Sequence, residues 1–142
     1  MYYLPFDPAP DVEEAFTYGD CWCLAKAIHD ISGYPIVALG CSHTGPAECE
    51  RDRDWHHMFV ALPDGNLLDV RGIWSQEAML SEWAENYEFC HPKDGPYYCL
   101  DFWLVEDWED ATSHQTPVYP ENSPEETALD VLAQLDNAFV SC

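Results

Sequence analysis

Three side chains in this sequence have the chemical types that a thiol-dependent enzyme requires: Cys21, His57 and Asp69. A thiol attacks as its thiolate, a histidine can take the proton, and a carboxylate can hold the imidazole in the correct tautomer. Each residue taken alone has an ordinary structural explanation, such as a buried core cysteine or a carboxylate paired with Arg71. Taken together, the three predict a nucleophile, a base and an orienting acid, provided that the fold brings them close.

The segment around Cys21 is predicted to be a helix that starts at the cysteine and stops before Gly33. Asp20 can accept hydrogen bonds from the amides of the first turn, and Gly33 can take the left-handed conformation that ends a helix. At about 100° per residue, Cys21 falls on the apolar face of this helix, whereas Cys23 falls on the opposite face. The apolar face also carries Leu24, Ala25, Ile28 and Ser32. Cys21 is therefore the candidate nucleophile.

His57 and Asp69 stand on two apolar segments joined by a Pro-Asp-Gly link at 63–65. This link is typical of a β-hairpin with a three-residue loop. The resulting register places His57 and Asp69 on one face of the sheet, with their backbones about 7–8 Å apart. A two-residue turn would put His56 on the face of Asp69 instead, but about 13 Å away along the strands. The turn chemistry therefore selects His57 as the base.

The thiol of Cys21 needs an activating group, because the ordinary pKa of a cysteine is about 8.5. A helix N-terminus contributes roughly 0.3–1 kcal/mol, which is less than one pKa unit. An imidazolium about 4 Å away contributes roughly 4 kcal/mol at an effective dielectric constant near 20, or about three pKa units. The expectation is that His57 performs most of the activation and that the helix mainly orients the sulfur.

The rest of the chain is predicted to add short helices and strands. The expected elements are an extended arm over 1–10, a helix over 11–16 capped by Asp11 and Glu14, strands over 35–39 and 97–105, a helix over 75–85 capped by Ser75, and a helix over 123–139 capped by Ser123. The inward residues of the last helix are expected to be Leu129, Leu132, Leu135 and Phe139. The resulting boundaries are a domain over 1–108, an acidic linker or surface loop over 109–122, and a C-terminal amphipathic helix over 123–142.

The composition excludes several classes of protein. With 142 residues, of which 47% are hydrophobic, the chain is predicted to form one folded domain. Its formal charge of −22, from 27 acidic and 5 basic residues, argues against direct binding to nucleic acid or to an anionic membrane. The sequence has no membrane-spanning apolar run and no secretory signal pattern, so a cytoplasmic location with reduced cysteines is expected. The expected substrate or partner is a basic protein or peptide.

Two motifs resemble those of the papain-like superfamily of thiol enzymes. These are the Gly-Asp-Cys opening of the helix at 19–21 and the His-x-x-Val-x-x-Pro-Asp-Gly-x-x-x-Asp stretch from His57 to Asp69. The resemblance is to the compact branch that includes NlpC-type cell-wall peptidases, transglutaminase-like enzymes and toxin deamidases, and to small bacterial and phage proteins of that fold. It implies an α+β body in which the catalytic helix packs on an antiparallel sheet, here with an extra C-terminal helix. It also assigns Cys21, His57 and Asp69 to a catalytic triad, for which no cofactor is expected.

The activity implied by this resemblance is that of a hydrolase of the thiol-protease type, or a related deamidase or acyl transferase. The amide substrate would pass through a thioester on Cys21. Papain-type enzymes carry an oxyanion-hole glutamine upstream of the cysteine, but the glutamines here are Gln76, Gln115 and Gln134. The Cys21 amide would therefore have to act with another donor. Candidate oxyanion or substrate contacts are Tyr18, Trp22 and Trp55.

Two further interpretations stay open from the sequence alone. The first is zinc binding, but no two well-spaced Cys-x-x-Cys pairs are present, so no metal site is predicted. The available ligands are Cys21, Cys23, Cys41, His43, Cys49, His56, His57, Cys90 and His91. The second is a non-enzymatic acidic protein that occupies a basic partner with a degenerate papain-like body, as an inhibitor, a nucleic-acid mimic or a phage-type anti-defence factor. The C-terminal helix is a candidate surface for oligomerisation.

Overall fold

The computed structural model describes residues 2–42, 53–86 and 100–140, which form one sheet with helices on both faces. Within these ranges there are six strands and five helices. The strands are β1 (Tyr3–Pro5), β2 (Ile36–Ser42), β3 (Arg53–Ala61), β4 (Leu67–Asp69), β5 (Gly72–Trp74) and β6 (Leu100–Leu104). The helices are α1 (Pro10–Tyr18), α2 (Cys21–Ser32), α3 (Gln76–Asn86), α4 (Trp108–Ala111) and α5 (Pro124–Val140). The α+β class is therefore confirmed.

The strands are arranged in the order β1-β5-β4-β3-β2-β6, and every neighbouring pair is antiparallel. The sheet is open, with β1 and β6 at its two edges. The predicted antiparallel sheet is therefore present, and β3, which carries His57, lies near its middle.

Two hydrophobic clusters pack on opposite faces of this sheet. The first contains residues of α1, α2 and α5, and the second contains residues of α3. Because side chains alternate along a strand, β3 contributes Met58 to the first cluster and Phe59 to the second. The side chain of His57 follows this alternation, since its ring packs on those of Phe59 and Trp83. Helix α2 and the His57 ring therefore lie on different faces of β3.

The hairpin between β3 and β4 has the predicted three-residue loop. Val60 pairs with Leu68, and the Leu62 amide donates to the Asn66 carbonyl at 2.8 Å. Gly65 closes the loop with φ 91°, the left-handed conformation that the loop requires. The register on which the choice of His57 depends is therefore confirmed.

Helix α2 begins at Cys21 and ends in a left-handed Gly33, with φ 82°, as predicted. The capping role predicted for the Asp20 side chain is wrong. Its carboxylate makes no cap hydrogen bond and instead accepts the main-chain amides of Val118 at 2.7 Å and Tyr119 at 2.9 Å. The Asp20 carbonyl still accepts from the Cys23 amide at 3.0 Å, so the first turn is closed by the backbone alone.

Two other helix starts are confirmed. The hydroxyl of Ser75 accepts the Ala78 amide at 3.1 Å at the start of α3, and the hydroxyl of Ser123 accepts the Glu126 amide at 3.2 Å at the start of α5. The predicted face of α5 is partly wrong, because Leu129 is 58% exposed. The buried stripe of α5 consists of Ala128, Val131 and Leu135, and it packs in the same cluster as α2.

The capping pair predicted for the first helix is also wrong. Helix α1 starts one residue earlier, at Pro10, with Ala9 in the cap position and no side-chain cap. Proline favours this position because the first helical amide needs no partner. The arm before it forms the edge strand β1, which pairs with β5. Gly72 of β5 has φ 144°, and a Cβ there would lie 2.1 Å from the Leu4 carbonyl oxygen.

The acidic segment over 109–122 is mostly exposed, and it is attached to the body of the protein at several points. The strand predicted over 97–105 is present from Leu100 to Leu104, while 97–99 lie outside the described residues. Among the helices in the described ranges, none has the length and apolar character needed to cross a membrane.

Candidate active site

The His57 and Asp69 side chains are joined in the protein core. Nε2 of His57 lies 2.9 Å from Oδ2 of Asp69, and the two residues are only 0% and 3% exposed. An ionised carboxylate can only accept hydrogen bonds, so Nε2 carries the proton and Nδ1 carries the free lone pair. The pair therefore holds the imidazole in the tautomer that can take a proton at Nδ1.

Asp69 is held by several donors besides His57. Its Oδ1 accepts the Arg71 amide and the Trp74 indole Nε1–H, both at 2.9 Å, and the Arg71 Nε lies 3.9 Å from Oδ2. Burial opposes ionisation, but the hydrogen bond and charge of His57, together with Arg71 and Trp74, hold the pKa of Asp69 below its usual value. Asp69 therefore stays ionised at neutral pH.

His57 sits in an aromatic pocket on the α3 side of the sheet. Its ring centroid lies 4.7 Å from that of Trp83, in a stacked arrangement, and 5.3 Å from that of Phe59. Burial lowers the pKa of His57, and the hydrogen bond to Asp69 only partly offsets this effect. The resting imidazole is therefore neutral, which is the form that a general base requires.

Cys21 is the first residue of α2 and is 4% exposed. Its Sγ accepts the Met58 main-chain amide at 3.5 Å. Burial raises the pKa of Cys21 to about 12, although the amides of Met58 and Trp22 act in the opposite direction. The expectation of a thiol ionised by His57 is therefore wrong for the resting site, because the apolar surroundings disfavour both charged forms.

Cys21 and His57 lie on either side of one peptide bond of β3. The sulfur of Cys21 lies against the amide that joins His57 to Met58, while the His57 ring extends to the other face of the strand. Nδ1 of His57 is buried and has no hydrogen-bond partner among the described residues, Cys21 included. The structure thus joins His57 to Asp69 and brings Cys21 to the backbone of β3, without a hydrogen bond between the thiol and the imidazole.

The strand pairing also distinguishes His57 from His56. Leu39 of β2 pairs with His57, whereas the next residue, Gly40, pairs with Trp55. His56 is therefore the extra residue of an irregularity in the ladder. Its side chain is only half-buried, and the imidazole that bonds to Asp69 is that of His57.

The three weaker candidates have different positions. Tyr18 is 62% exposed at the end of α1. Trp22 is buried, and its ring centroid lies 5.6 Å from that of Trp108. Trp55 is half-buried, and its indole Nε1–H donates to the Ala111 carbonyl at 3.0 Å. The two tryptophans therefore line the core beside the start of α2, and Tyr18 lies at the surface.

Two polar groups near Cys21 were not predicted. The Thr17 hydroxyl at the end of α1 and the Trp22 indole Nε1–H are buried and have no hydrogen-bond partner in the described part of the chain. Trp74 was also missed as a donor to Asp69. The available signal was Gly72, which allows the tight turn from Asp69 into β5 and so brings Trp74 beside the carboxylate.

The alternative of a zinc site falls mostly outside the described residues. His43, Cys49, Cys90 and His91 lie there, and the side chain of Cys41 is not described. In residues 2–42, 53–86 and 100–140, no group of three or more His, Cys, Asp or Glu side chains is arranged to hold a metal ion.

Comparisons with protein-family models, with curated proteins and with solved structures give no match for this chain.

The raised pKa of Cys21 predicts a specific loss of stability in alkali. The pKa of the thiol is about 12 in the folded protein against 9.0 for an ordinary thiol, so the unfolded chain ionises first as the pH rises above 9.0. This single group should lower the free energy of unfolding by about 1.4 kcal/mol near pH 10. Urea unfolding near pH 7 and near pH 10 measures the loss. A Cys21→Ala variant should lose about 1.4 kcal/mol less than the natural protein, and equal losses would contradict the raised pKa.

Proposed function

We propose that this protein is a cysteine-dependent enzyme of the papain-like type that acts on an amide. The observation that carries the proposal is the orientation of His57, whose Nε2 is bound to Asp69 while Nδ1 is buried and unpaired. Buried polar atoms without partners are rare and call for an explanation, of which a catalytic role is one. The sulfur of Cys21 lies against the amide of Met58, the residue after His57, although the His57 ring extends to the other face of β3.

The Cys21 thiol and the His57 imidazole are both neutral at rest, so the thiol has to lose its proton during the reaction. Because the sulfur and the His57 ring lie on different faces of β3, substrate binding has to shift the start of α2 or this part of β3 until the S–H of Cys21 is within hydrogen-bond distance of Nδ1 of His57. The proton then passes from Sγ to Nδ1 as the sulfur attacks the amide carbonyl carbon, giving a tetrahedral oxyanion and an imidazolium. Asp69 stabilises that imidazolium through Nε2. This is general-base catalysis on a protonated thiol, without a preformed ion pair.

The second half of the reaction returns the proton. The imidazolium of His57 donates the proton from Nδ1 to the leaving nitrogen, the C–N bond breaks, and a thioester remains on Cys21. Attack by water completes hydrolysis or deamidation, and attack by an amine completes acyl transfer. The amides of Cys21 and Trp22 belong to the first turn of α2, whose positive end favours the oxyanion.

The arrangement of the elements supports the papain-like assignment. A helix that opens with the cysteine packs on an antiparallel sheet, and the histidine and the acid follow on neighbouring strands in that chain order. The charge of −22 favours a basic protein or peptide as the substrate.

The test is to trap the thioester. The natural protein and a Cys21→Ala variant are incubated with basic peptides that contain glutamine, asparagine and a C-terminal amide, and acid-quenched samples are analysed by intact-mass spectrometry. We expect an acyl adduct on the natural protein, placed on Cys21 by peptide mapping, and loss of turnover in the variant. Ammonia release, new peptide N-termini or cross-linked products then distinguish the three reactions. Turnover retained by Cys21→Ala would exclude the proposal.

The alternative is a non-enzymatic acidic binder, and the burial of the site favours it. Cys21, His57 and Asp69 are all buried, and the thiol is protonated at neutral pH. In that case the Cys21→Ala variant retains the full biological effect and captures the same basic partner as the natural protein.

A further inference from the structure

The segment from Trp108 to Tyr119, which we call the strap, is attached to both chain neighbours of Cys21. The main-chain amides of Val118 and Tyr119 donate to the carboxylate of Asp20 at 2.7 and 2.9 Å. At the other end of the strap, the Trp108 indole Nε1–H donates to the Trp22 carbonyl at 3.0 Å. The strap therefore spans the start of α2, from the residue before the thiol to the residue after it.

The shape of the chain around Gly19 fits the strap closely. A Cβ at Gly19 would lie 2.8 Å from the ring of Tyr119 and 3.3 Å from the Cβ of Val118. A further hydrogen bond holds the strap to the sheet, where the Trp55 indole Nε1–H reaches the Ala111 carbonyl at 3.0 Å. A side chain at position 19 would therefore press on the strap, and the glycine lets the strap pack closely against this end of α2.

Two polar groups of the segments that flank Cys21 are buried without partners in this closed state. They are the Thr17 hydroxyl at the end of α1 and the Trp22 indole Nε1–H, neither of which has a hydrogen-bond partner in the described structure. Unpaired buried groups favour any state in which water or a ligand can reach them. The closed state therefore has to be held by other contacts, and those of Asp20 with the strap are the strongest candidates, because hydrogen bonds to a buried carboxylate exceed neutral ones in strength.

We propose that the strap is a lid over Cys21 and that the Asp20 carboxylate is the latch that keeps it closed. This inference rests on the proposed function, since it concerns access of substrate to the same thiol. Release of the Val118 and Tyr119 amides exposes the start of α2. The substrate then reaches Cys21, and its polar groups pair with those left unsatisfied in the closed state.

The two main-chain amides that the Asp20 carboxylate accepts also suggest which kind of ligand opens the lid. Asp20 binds two successive main-chain N–H groups, those of Val118 and Tyr119, where the strap bends. A peptide segment with the same bend presents the same pair of donors and can therefore compete with the strap for the carboxylate. A peptide, rather than a small amide, is the substrate class that this latch fits.

The test measures opening without relying on catalysis. Asp20→Asn keeps the size of the side chain but turns one acceptor into a donor, which opposes a strap amide. We expect amide hydrogen exchange at Val118 and Tyr119, and alkylation of Cys21 by iodoacetamide, to become about tenfold faster in this variant. Peptide mass spectrometry assigns the alkylated cysteine. The matched control is Asp30→Asn, which alters an exposed carboxylate on the same helix and should change both rates less than twofold.

A second variant distinguishes opening of the strap from misfolding of the Asp20→Asn protein. Trp108→Phe removes the indole N–H bond to the Trp22 carbonyl and part of the contact with the Trp22 ring, but it keeps an aromatic side chain, so we expect a smaller increase in both rates, about threefold. Unchanged exchange and alkylation in both variants would overturn the lid. Because neither readout needs turnover, a lid that fails this test leaves the thioester experiment unaffected, and an absent thioester leaves the lid testable.

Discussion

Replacement of Asp69 by alanine is expected to lower the free energy of unfolding by about 3–5 kcal/mol. The carboxylate accepts hydrogen bonds from His57 Nε2, the Arg71 amide and Trp74 Nε1, and Arg71 Nε also lies 3.9 Å away. The donors are buried, so the variant leaves several of them without an acceptor at once. Each unsatisfied group costs about 1–3 kcal/mol, and partial relaxation or water entry brings the sum into the stated range.

Chemical denaturation near pH 7 measures this effect, with Asp30→Ala as the matched control. Asp30 pairs with Lys26 at the surface, where an ion pair contributes about 0–1 kcal/mol. A loss of less than about 1 kcal/mol for Asp69→Ala would mean that the buried network is not held by its carboxylate. The stability of the natural protein should also fall in acid, because the pKa values of both Asp69 and His57 are lowered on folding. The unfolded chain takes up these protons first as the pH falls.

The substitution Asp69→Asn is expected to separate catalysis from stability. An asparagine oxygen can still accept from the Arg71 amide and the Trp74 indole, so the free energy of unfolding should fall by only about 1–2 kcal/mol. Its NH₂ group, however, faces Nε2 of His57 and donates to it. The imidazole then carries its proton on Nδ1 and can no longer accept the proton of Cys21. Turnover of the amide substrate should fall by about three to four orders of magnitude.

Nitrogen NMR of the His57 ring reports this change directly. We expect a neutral ring protonated at Nε2 in the natural protein and at Nδ1 in the variant. Asp64→Asn, which changes an exposed carboxylate of the hairpin loop, is the control and should alter neither the tautomer nor turnover. Unchanged turnover in Asp69→Asn, with the tautomer reversed, would show that Nδ1 of His57 is not the base.

The parts of the site that follow from short-range chemistry are predictable from the sequence. The Pro-Asp-Gly loop determines the register of the hairpin, and alternation along the strands then places His57 and Asp69 on one face. The limits of α2 follow in the same way, because Gly33 needs only its own backbone freedom to end the helix. These features depend on residues within a few positions of one another.

The parts that depend on tertiary packing are not predictable in this way. Asp20 has the right type and position for a helix cap, but two amides 98 and 99 residues later take its carboxylate. The ionisation state of Cys21 is not predictable from the sequence either, because the pKa of its thiol depends on how deeply the packed core buries the sulfur. The predicted burial of Leu129 is wrong for the same reason, because the elements that pack on α5 determine which of its apolar residues are buried.

The bond between Asp20 and the strap also has a consequence for the order of folding. A growing chain that has reached the end of α3 already contains Cys21, His57 and Asp69, together with the hairpin that aligns the last two. It does not yet contain Val118 and Tyr119, and contacts of such long sequence separation form late because closing a long loop costs entropy. The hairpin can therefore form before the contacts that join Asp20 to the strap become possible.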